Sequence, residues 1–382
     1  MYSLTAYGDM IRDRVRMGAY ATALRRAIRP GAIVIDIGTG TGIMACLACR
    51  YGARRVYAIE PADAIEVARE VARANGLGER IEFIQKPSTS VILPERADVI
   101  VSDLRGVLPL LQHHVPSIVD ARTRLLKPGG VLIPRRDVIR VCVASAPDLY
   151  ESRVTPWERN EYGLDMSAVS RIETNACQKC RARAEHVLLE PQPLATLDYG
   201  ALESGDVRGD LHWSAERGGE AHGLIVWFDA ELDGETGFTN APGAPEVIYG
   251  QAFFPWTHPV ALVPGDTVSA SICAILVADE YVWTWATRIS EPGGTVKAEF
   301  RQSSFFGTPR SRATLARRAA EHVAVLGEEG RLDRLVLTLL DEGVPLGRIA
   351  DEVFAKFPLR VRTWERALAR VADLSIRYGE AP

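Results

Sequence analysis

Residues 33 to 42, IVIDIGTGTG, limit what this chain can fold into more than any other stretch. A short buried-strand pattern runs without a break into alternating glycines, and the apolar run IMACLACRYGA follows. The pattern predicts strand, tight turn and helix. The next run, RVYAIE, predicts a second strand ending at Glu60, about 20 residues beyond the first glycines, where a carboxylate accepts hydrogen bonds from two ribose hydroxyls. That placement argues for a nucleoside-bearing ligand. The turn reads D-x-G-x-G-x-G, so the dinucleotide spacing G-x-G-x-x-G is not met. Asp36 just before it is a poor neighbour for a pyrophosphate and a good one for a cationic ligand.

The alternation continues. ADAIEVAREVARANGL predicts a helix, RIEFIQ and ADVIVSD predict strands, and IVDARTRLLKPGGVLIP predicts a helix and a further strand. Strand and helix units in alternation imply a parallel sheet that binds its ligand at the carboxyl ends of the strands. A chain of 382 residues that is 47% hydrophobic buries a sizeable core, and its length predicts two domains with a small appendage. The net charge of -4, with no concentration of basic residues, argues against a nucleic-acid partner. No stretch approaches the ~18 apolar residues of a membrane span, and the N-terminus lacks the apolar run of a secretory signal. The expectation is a cytoplasmic protein. Six cysteines are not a disulfide framework at this length; Cys46 and Cys49 read as core thiols, and the lone CxxC of Cys177 and Cys180 has no second pair to make a zinc site.

The segments VIDIGTGTGI, AIEPAD and LLKPGGVLIP resemble successive motifs of the class I S-adenosylmethionine methyltransferases. Within that class the chain is similar to the protein arginine methyltransferases over residues 1 to about 305. DMIRDRVRMGAY resembles that family's N-terminal helix, E-M-L-x-D-x-x-R, with Met10, Asp13 and Arg16 at matching positions. By this resemblance Arg16 pairs with the carboxylate of the cofactor's methionine part, which suits a guanidinium fork; without it, Arg16 reads as a surface residue of an amphipathic helix. YGLDMS, residues 162 to 167, is similar to the motif that opens the family's dimerisation arm, and implies a homodimer. Four runs, GLIVWFDAEL, GQAFFPW, TVSASICAIL and YVWTWATRI, read as strands of a β-barrel-like second domain.

The resemblance implies S-adenosyl-L-methionine as cofactor, with S-adenosylhomocysteine as product. Asp36, Gly38, Gly40, Gly42, Glu60, Arg16, Ser88 and Ser102 are its expected contacts. It also exposes departures. The family's loop S-E-x-x-G-x-x-x-x-x-E carries two glutamates that grip a guanidinium; here SDLRGVLPLLQHH, residues 102 to 114, keeps Ser102 and Gly106 but has Asp103 and the neutral Gln112 at the two acidic places. Losing one buried charge partner costs a few kcal/mol of cation binding, enough to change the substrate. The family's T-H-W triplet is replaced by Val247, Ile248 and Tyr249, and the WTH of Trp256 to His258 reads as coincidence. The adenine-contacting glutamate is also missing, with Thr89 in its place.

Asp103 and Gln112 are therefore the expected acceptor contacts. Asp103, His113 and His114 are the candidate bases, although a histidine pair after a loop is more often a solvent-facing helix start. The expected function is methyl transfer to a non-standard acceptor, a peptide or a small metabolite. The alternatives are arginine N-methylation through an Asp/Gln pair and a non-catalytic cofactor-binding scaffold.

Beyond residue 306 the resemblance ends. RLDRLVLTLLDEG sets Leu332, Leu335, Val336, Leu339 and Leu340 on one helix face that stops at Gly343; PLGRIADEVFAKF and TWERALARVADLSIRYG predict two more helices. Residues 331 to 382 hold nine basic against eight acidic side chains, so this small helical module lacks the charge of a DNA binder. Its similarity to small peptide-binding modules stands beside its reading as a helical cap. The expected organisation is α/β: a Rossmann-like cofactor domain over 1–135, a β-barrel-like substrate and dimerisation domain over 136–305 with an arm at about 164–190, and a helical extension over 306–382.

Overall fold

The protein was analysed as a computed structural model that describes residues 3 to 379. Residues up to Pro309 form one compact unit and those from Arg310 a second. The first unit opens with α1 (Leu4–Arg12) and α2 (Arg14–Ala27). The one N-terminal helix of the resemblance is broken at Asp13, whose backbone is extended and whose carboxylate accepts from the Arg16 amide as the N-cap of α2.

The glycine-turn segment folds as expected into β1 (Ile33–Ile37) and α3 (Ile43–Arg50). β2 (Arg55–Ile59), α4 (Ala64–Ala74), β3 (Ile81–Ile84), β4 (Ala97–Ser102), α5 (His114–Arg124) and β5 (Leu126–Ile133) follow. The five strands are parallel in the order β3-β2-β1-β4-β5. The order reverses between β1 and β4, so their carboxyl ends open a crevice, and Asp36 and Asp103 lie at its two lips.

β6 (Arg136–Ala144) leaves this sheet and enters a second one, antiparallel and six-stranded. Two helices, α6 (Pro147–Arg153) and α7 (Thr155–Glu158), lead into the arm segment, which holds α8 (Ser167–Glu173) and β7 (Gln178–Cys180). β8 (Gln192–Asp198), β9 (Val207–Ser214), β10 (Gly219–Glu231), β11 (Gly237–Thr239), β12 (Gln251–Leu262), β13 (Thr267–Val277), β14 (Glu280–Ser290) and β15 (Val296–Ser303) complete the unit. The barrel-like region is thus two antiparallel sheets, β7-β12-β10-β6-β8 with β11 on β10, and β15-β14-β13-β9. Their aromatic residues meet: Phe254 of β12 packs edge-on to Trp283 and Trp285 of β14, and Trp256 stacks on Phe300 of β15.

In the second unit α9 (Arg312–Ala316) buries nothing, whereas α10 (Glu328–Asp341), α11 (Leu346–Lys356) and α12 (Trp364–Tyr378) enclose a core of their own around Leu332, Val336, Ile349 and Val371. Gly343 ends α10 with φ 71°, and its amide bonds back to Leu340. No helix among the described residues is long and apolar enough to cross a membrane.

Candidate active site

The donor side is built by the turn after β1. Gly38, Gly40 and Gly42 all have positive φ, at 74°, 52° and 85°. A side chain at Gly40 would come within 2.5 Å of the Tyr7 ring, and one at Gly38 within 2.4 Å of Leu104. Only glycine meets both demands. The Gly40 amide donates to Glu60 Oε2 at 3.1 Å, and the Ala62 amide to Glu60 Oε1 at 3.0 Å, which fixes that buried carboxylate at the end of β2. Asp36 accepts from Thr39 Oγ1 at 2.6 Å, and burial pushes its carboxyl up to about 7 against the pull of the Thr39 and Ala45 hydrogen bonds.

Helix α2 sets Arg16 and Tyr20 on one face by their i, i+4 spacing. Both are buried. Arg16 donates from Nη1 to Asp103 and from Nη2 to the Met10 carbonyl, while its buried Nε, 3.9 Å from the Asp13 carboxylate, makes no hydrogen bond among the described residues. An orphaned guanidinium N–H beside a glycine cradle and a ribose-type carboxylate fits a ligand with a carboxylate at one end and a nucleoside at the other. The residues present therefore fit S-adenosylmethionine.

The loop expected to contact the acceptor follows β4. Asp103 is held from every side: by Arg16, by Arg105 Nη1 at 3.2 Å, and by the Tyr249 hydroxyl, 2.6 Å from each carboxylate oxygen. Burial raises its pKa, but the two guanidinium charges and these hydrogen bonds outweigh that and keep it below the usual carboxylate range. Arg105 is itself buried and makes a two-pronged pair with Asp137 of β6, Nε to Oδ2 at 2.7 Å and Nη2 to Oδ1 at 2.8 Å. Its Nη1 also donates to the Tyr20 hydroxyl at 2.6 Å, and that hydroxyl donates to the Ser102 carbonyl at 3.0 Å. Tyr199 donates to Asp137 Oδ2 at 2.6 Å, which leaves its oxygen to accept from His114 Nε2 at 3.0 Å. Desolvation, aided by the Arg105 charge, pushes His114 down to about 3, so it stays neutral.

Of the expected site residues, the fold brings together Arg16, Asp103 and Ser102, and seats Leu104 of the same loop on Gly38. It does not bring Gln112 or His113 to them. Gln112 is exposed at φ 42° and makes no described hydrogen bond, and His113 is exposed with its Nε2 against Asp279 at 2.8 Å. Position 112 lies where the chain turns outward into α5, and a polar side chain there stays in water. Ser88 is buried, with its carbonyl bound by Arg124 at 3.0 Å, and Thr89 is exposed. Trp256 and His258 of the WTH run lie on β12 against Phe300. In place of the T-H-W triplet, the Ile248 amide donates to Asp13 at 2.8 Å and Tyr249 reaches Asp103. Sequence reasoning missed Arg105, Asp137, Tyr20 and Tyr199. The available signal was an arginine inside the apolar stretch LRGVLPLL, which demands a counter-charge once buried.

Comparison with known proteins agrees with this geometry. Residues 20–139 match the family model of the ribosomal protein L11 methyltransferase, and residues 139–279 match that of the arginine methyltransferase oligomerization subdomain. The chain is 32% identical to a probable protein arginine N-methyltransferase 6 of Arabidopsis thaliana, over 59% of this chain and 54% of that one. It is 31% identical to a probable histone-arginine methyltransferase CARM1 of Oryza sativa subsp. indica, over 69% and 53%. It spans about half the length of these two plant relatives. With protein arginine N-methyltransferase 6 of Xenopus tropicalis it shares 31% identity over 62% of this chain and 73% of that one. Among solved structures the fold is shared with protein arginine methyltransferase 10 of Arabidopsis thaliana, at 24% identity and a TM-score of 0.68 over 79% and 97% of the two chains. It is shared also with the Trypanosoma brucei PRMT1 enzyme-prozyme heterotetrameric complex with AdoHcy, at 21% identity and a TM-score of 0.70 over 78% and 96%. On these matches, the chain belongs to the protein arginine methyltransferase family within the class I S-adenosylmethionine-dependent methyltransferases.

Proposed function

We propose that this protein is an S-adenosylmethionine-dependent methyltransferase that works as a homodimer on an acceptor other than an arginine guanidinium, a peptide or a small metabolite. The observation that carries this reading is the state of the two acidic positions: Asp103 has both oxygens engaged by Arg16, Arg105 and Tyr249, and Gln112 stands in solvent. No pair of free acceptors remains to grip and orient a cationic nitrogen. Bound S-adenosylmethionine supplies an electrophilic methyl group on a positively charged sulfur. The chain's own part is placement. Glu60 accepts from the ribose hydroxyls, Arg16 pairs with the methionine carboxylate, Asp36 with Gly38, Gly40 and Gly42 shapes the cradle, and Leu104 with Tyr7 closes it against water. A neutral acceptor that carries its own nucleophilic lone pair needs alignment more than a base. The oligomerization subdomain supports the dimer, with the arm at about 164–190 as the surface it uses.

A second reading, arginine N-methylation, is supported by what the relatives are named for. One experiment separates them. Calorimetric titration with S-adenosylmethionine and S-adenosylhomocysteine, with Gly40→Arg as control, is expected to give saturable binding that the control loses. Methyl transfer is then followed by mass for an arginine-rich peptide and for panels of neutral peptides, alcohols and amides. The expectation is no label on the arginine peptide. Arginine methylation that disappears in Asp103→Ala would establish the second reading instead, and no binding of either nucleoside would remove both.

A further inference from the structure

We propose that Arg105 is a built-in guanidinium that occupies the acceptor clamp, so that the site refuses arginine and other cations and takes a neutral acceptor. The inference rests on the reading of this loop as a methyl-acceptor site and deepens it to a substrate class. Arg105 is held as a substrate arginine would be held. Asp137 takes two of its N–H groups in parallel, Asp103 takes a third position, and the Tyr20 oxygen accepts from the same nitrogen. Its guanidinium carbon also lies 5.5 Å from the centroid of the Phe228 ring and 5.9 Å from that of Phe238. Two carboxylates and two aromatic faces are what a protein assembles to recognise a guanidinium from outside.

Here the occupant belongs to the chain. Oxygen by oxygen, every carboxylate oxygen already faces a donor from the chain. Asp103 Oδ1 receives Arg105 and Tyr249, and its Oδ2 receives Arg16 and Tyr249. Asp137 Oδ1 receives Arg105, and its Oδ2 receives Arg105 and Tyr199. Arg105 already supplies the guanidinium charge that Asp103 and Asp137 would offer a substrate, while Arg16 lies between Asp103 and Asp13, the latter 3.9 Å from its Nε. A cationic acceptor would therefore have to displace the buried Arg105 or bring a like charge against it, and a neutral one would not. A pair that served only to fasten the loop to β6 would need Asp137; it would not need Asp103, Tyr20 and two ring faces around the same group.

The test is calorimetric titration of the full chain with ethylguanidinium, with and without S-adenosylhomocysteine. The wild type is expected to show no saturable binding. Arg105→Ala, which vacates the clamp and leaves Asp137 and Asp103 to hold a guanidinium from solution, is expected to gain at least about tenfold in affinity, the worth of one charge-assisted contact. Adding Asp137→Asn is expected to abolish that gain. If Arg105→Ala does not fold, Arg105→Lys carries the test: a single ammonium cannot span both carboxylates, and a smaller gain is expected. Wild-type binding as tight as that of the variants would overturn the proposal. So would folded variants that lose stability and gain no binding, the result of a purely fastening role. Failure to bind S-adenosylhomocysteine overturns the proposed function separately, while the titration without nucleoside still decides the place of Arg105.

Discussion

Burial sets the chemistry of Asp36 more than its neighbours do. With an unfolded value of 3.8 and a folded value of about 7, the native state holds a proton that the unfolded chain releases across that window. The contribution of Asp36 to stability is therefore complete below about pH 4 and is lost as the pH rises to 7, by up to ~1.4 kcal/mol per unit. Urea midpoints of the wild type should fall across this window, and Asp36→Asn should flatten the fall; equal slopes for the two proteins would show that Asp36 is not the group responsible. At this scale the donor side was legible because its residues are local. Asp36, Gly38, Gly40 and Gly42 lie within one turn, and Glu60 one strand away. The acceptor side was not, because Arg105 takes its meaning from Asp137 and Asp103 from Tyr249, partners 32 and 146 residues distant in the chain. The substitution of Gln112 is visible in the sequence, but its exposure depends on where the loop turns into α5.

Helix α1 buries no residue, and Leu4 and Ile11 are exposed on it, whereas α2 buries Tyr20, Ala23 and Leu24. Such a helix sits at the low end of local stability. Amides of 4–12 are expected to exchange with deuterium at least about tenfold faster than those of the buried face of α2, and equal protection of the two would refute this. The break between them was hidden, since Asp13 continues the helical pattern and only its side-chain cap and its bond to Ile248 show why the chain bends there. The strands of the parallel sheet were plain from their apolar runs, and so were β10, β12, β13 and β14. That they divide into two sheets was not, because antiparallel register depends on long-range pairing that alternation alone leaves open.

The molecule divides at Pro309, close to the end of its resemblance to the family, and the three helices after it pack around their own apolar residues. Ile349 is fully buried there. Ile349→Ala should cost about 2–5 kcal/mol, which for so small a core is most of its stability. Limited proteolysis with mass analysis should then clear residues beyond 310 and leave the first unit intact; unchanged resistance of the helices would contradict this. Within the first unit, the Arg105–Asp137 pair joins the loop after β4 to β6. Exchanging either partner alone strands the other's charge in a dry interior at about 3–5 kcal/mol, a large part of the ~5–15 kcal/mol that keeps a domain folded. Building a two-glutamate loop into this chain thus requires changes at 103 and 112 together with a coordinated exchange at 105 and 137. Under one-at-a-time mutation the pair acts as a ratchet: each single exchange is costly, so the two positions change together or stay as they are.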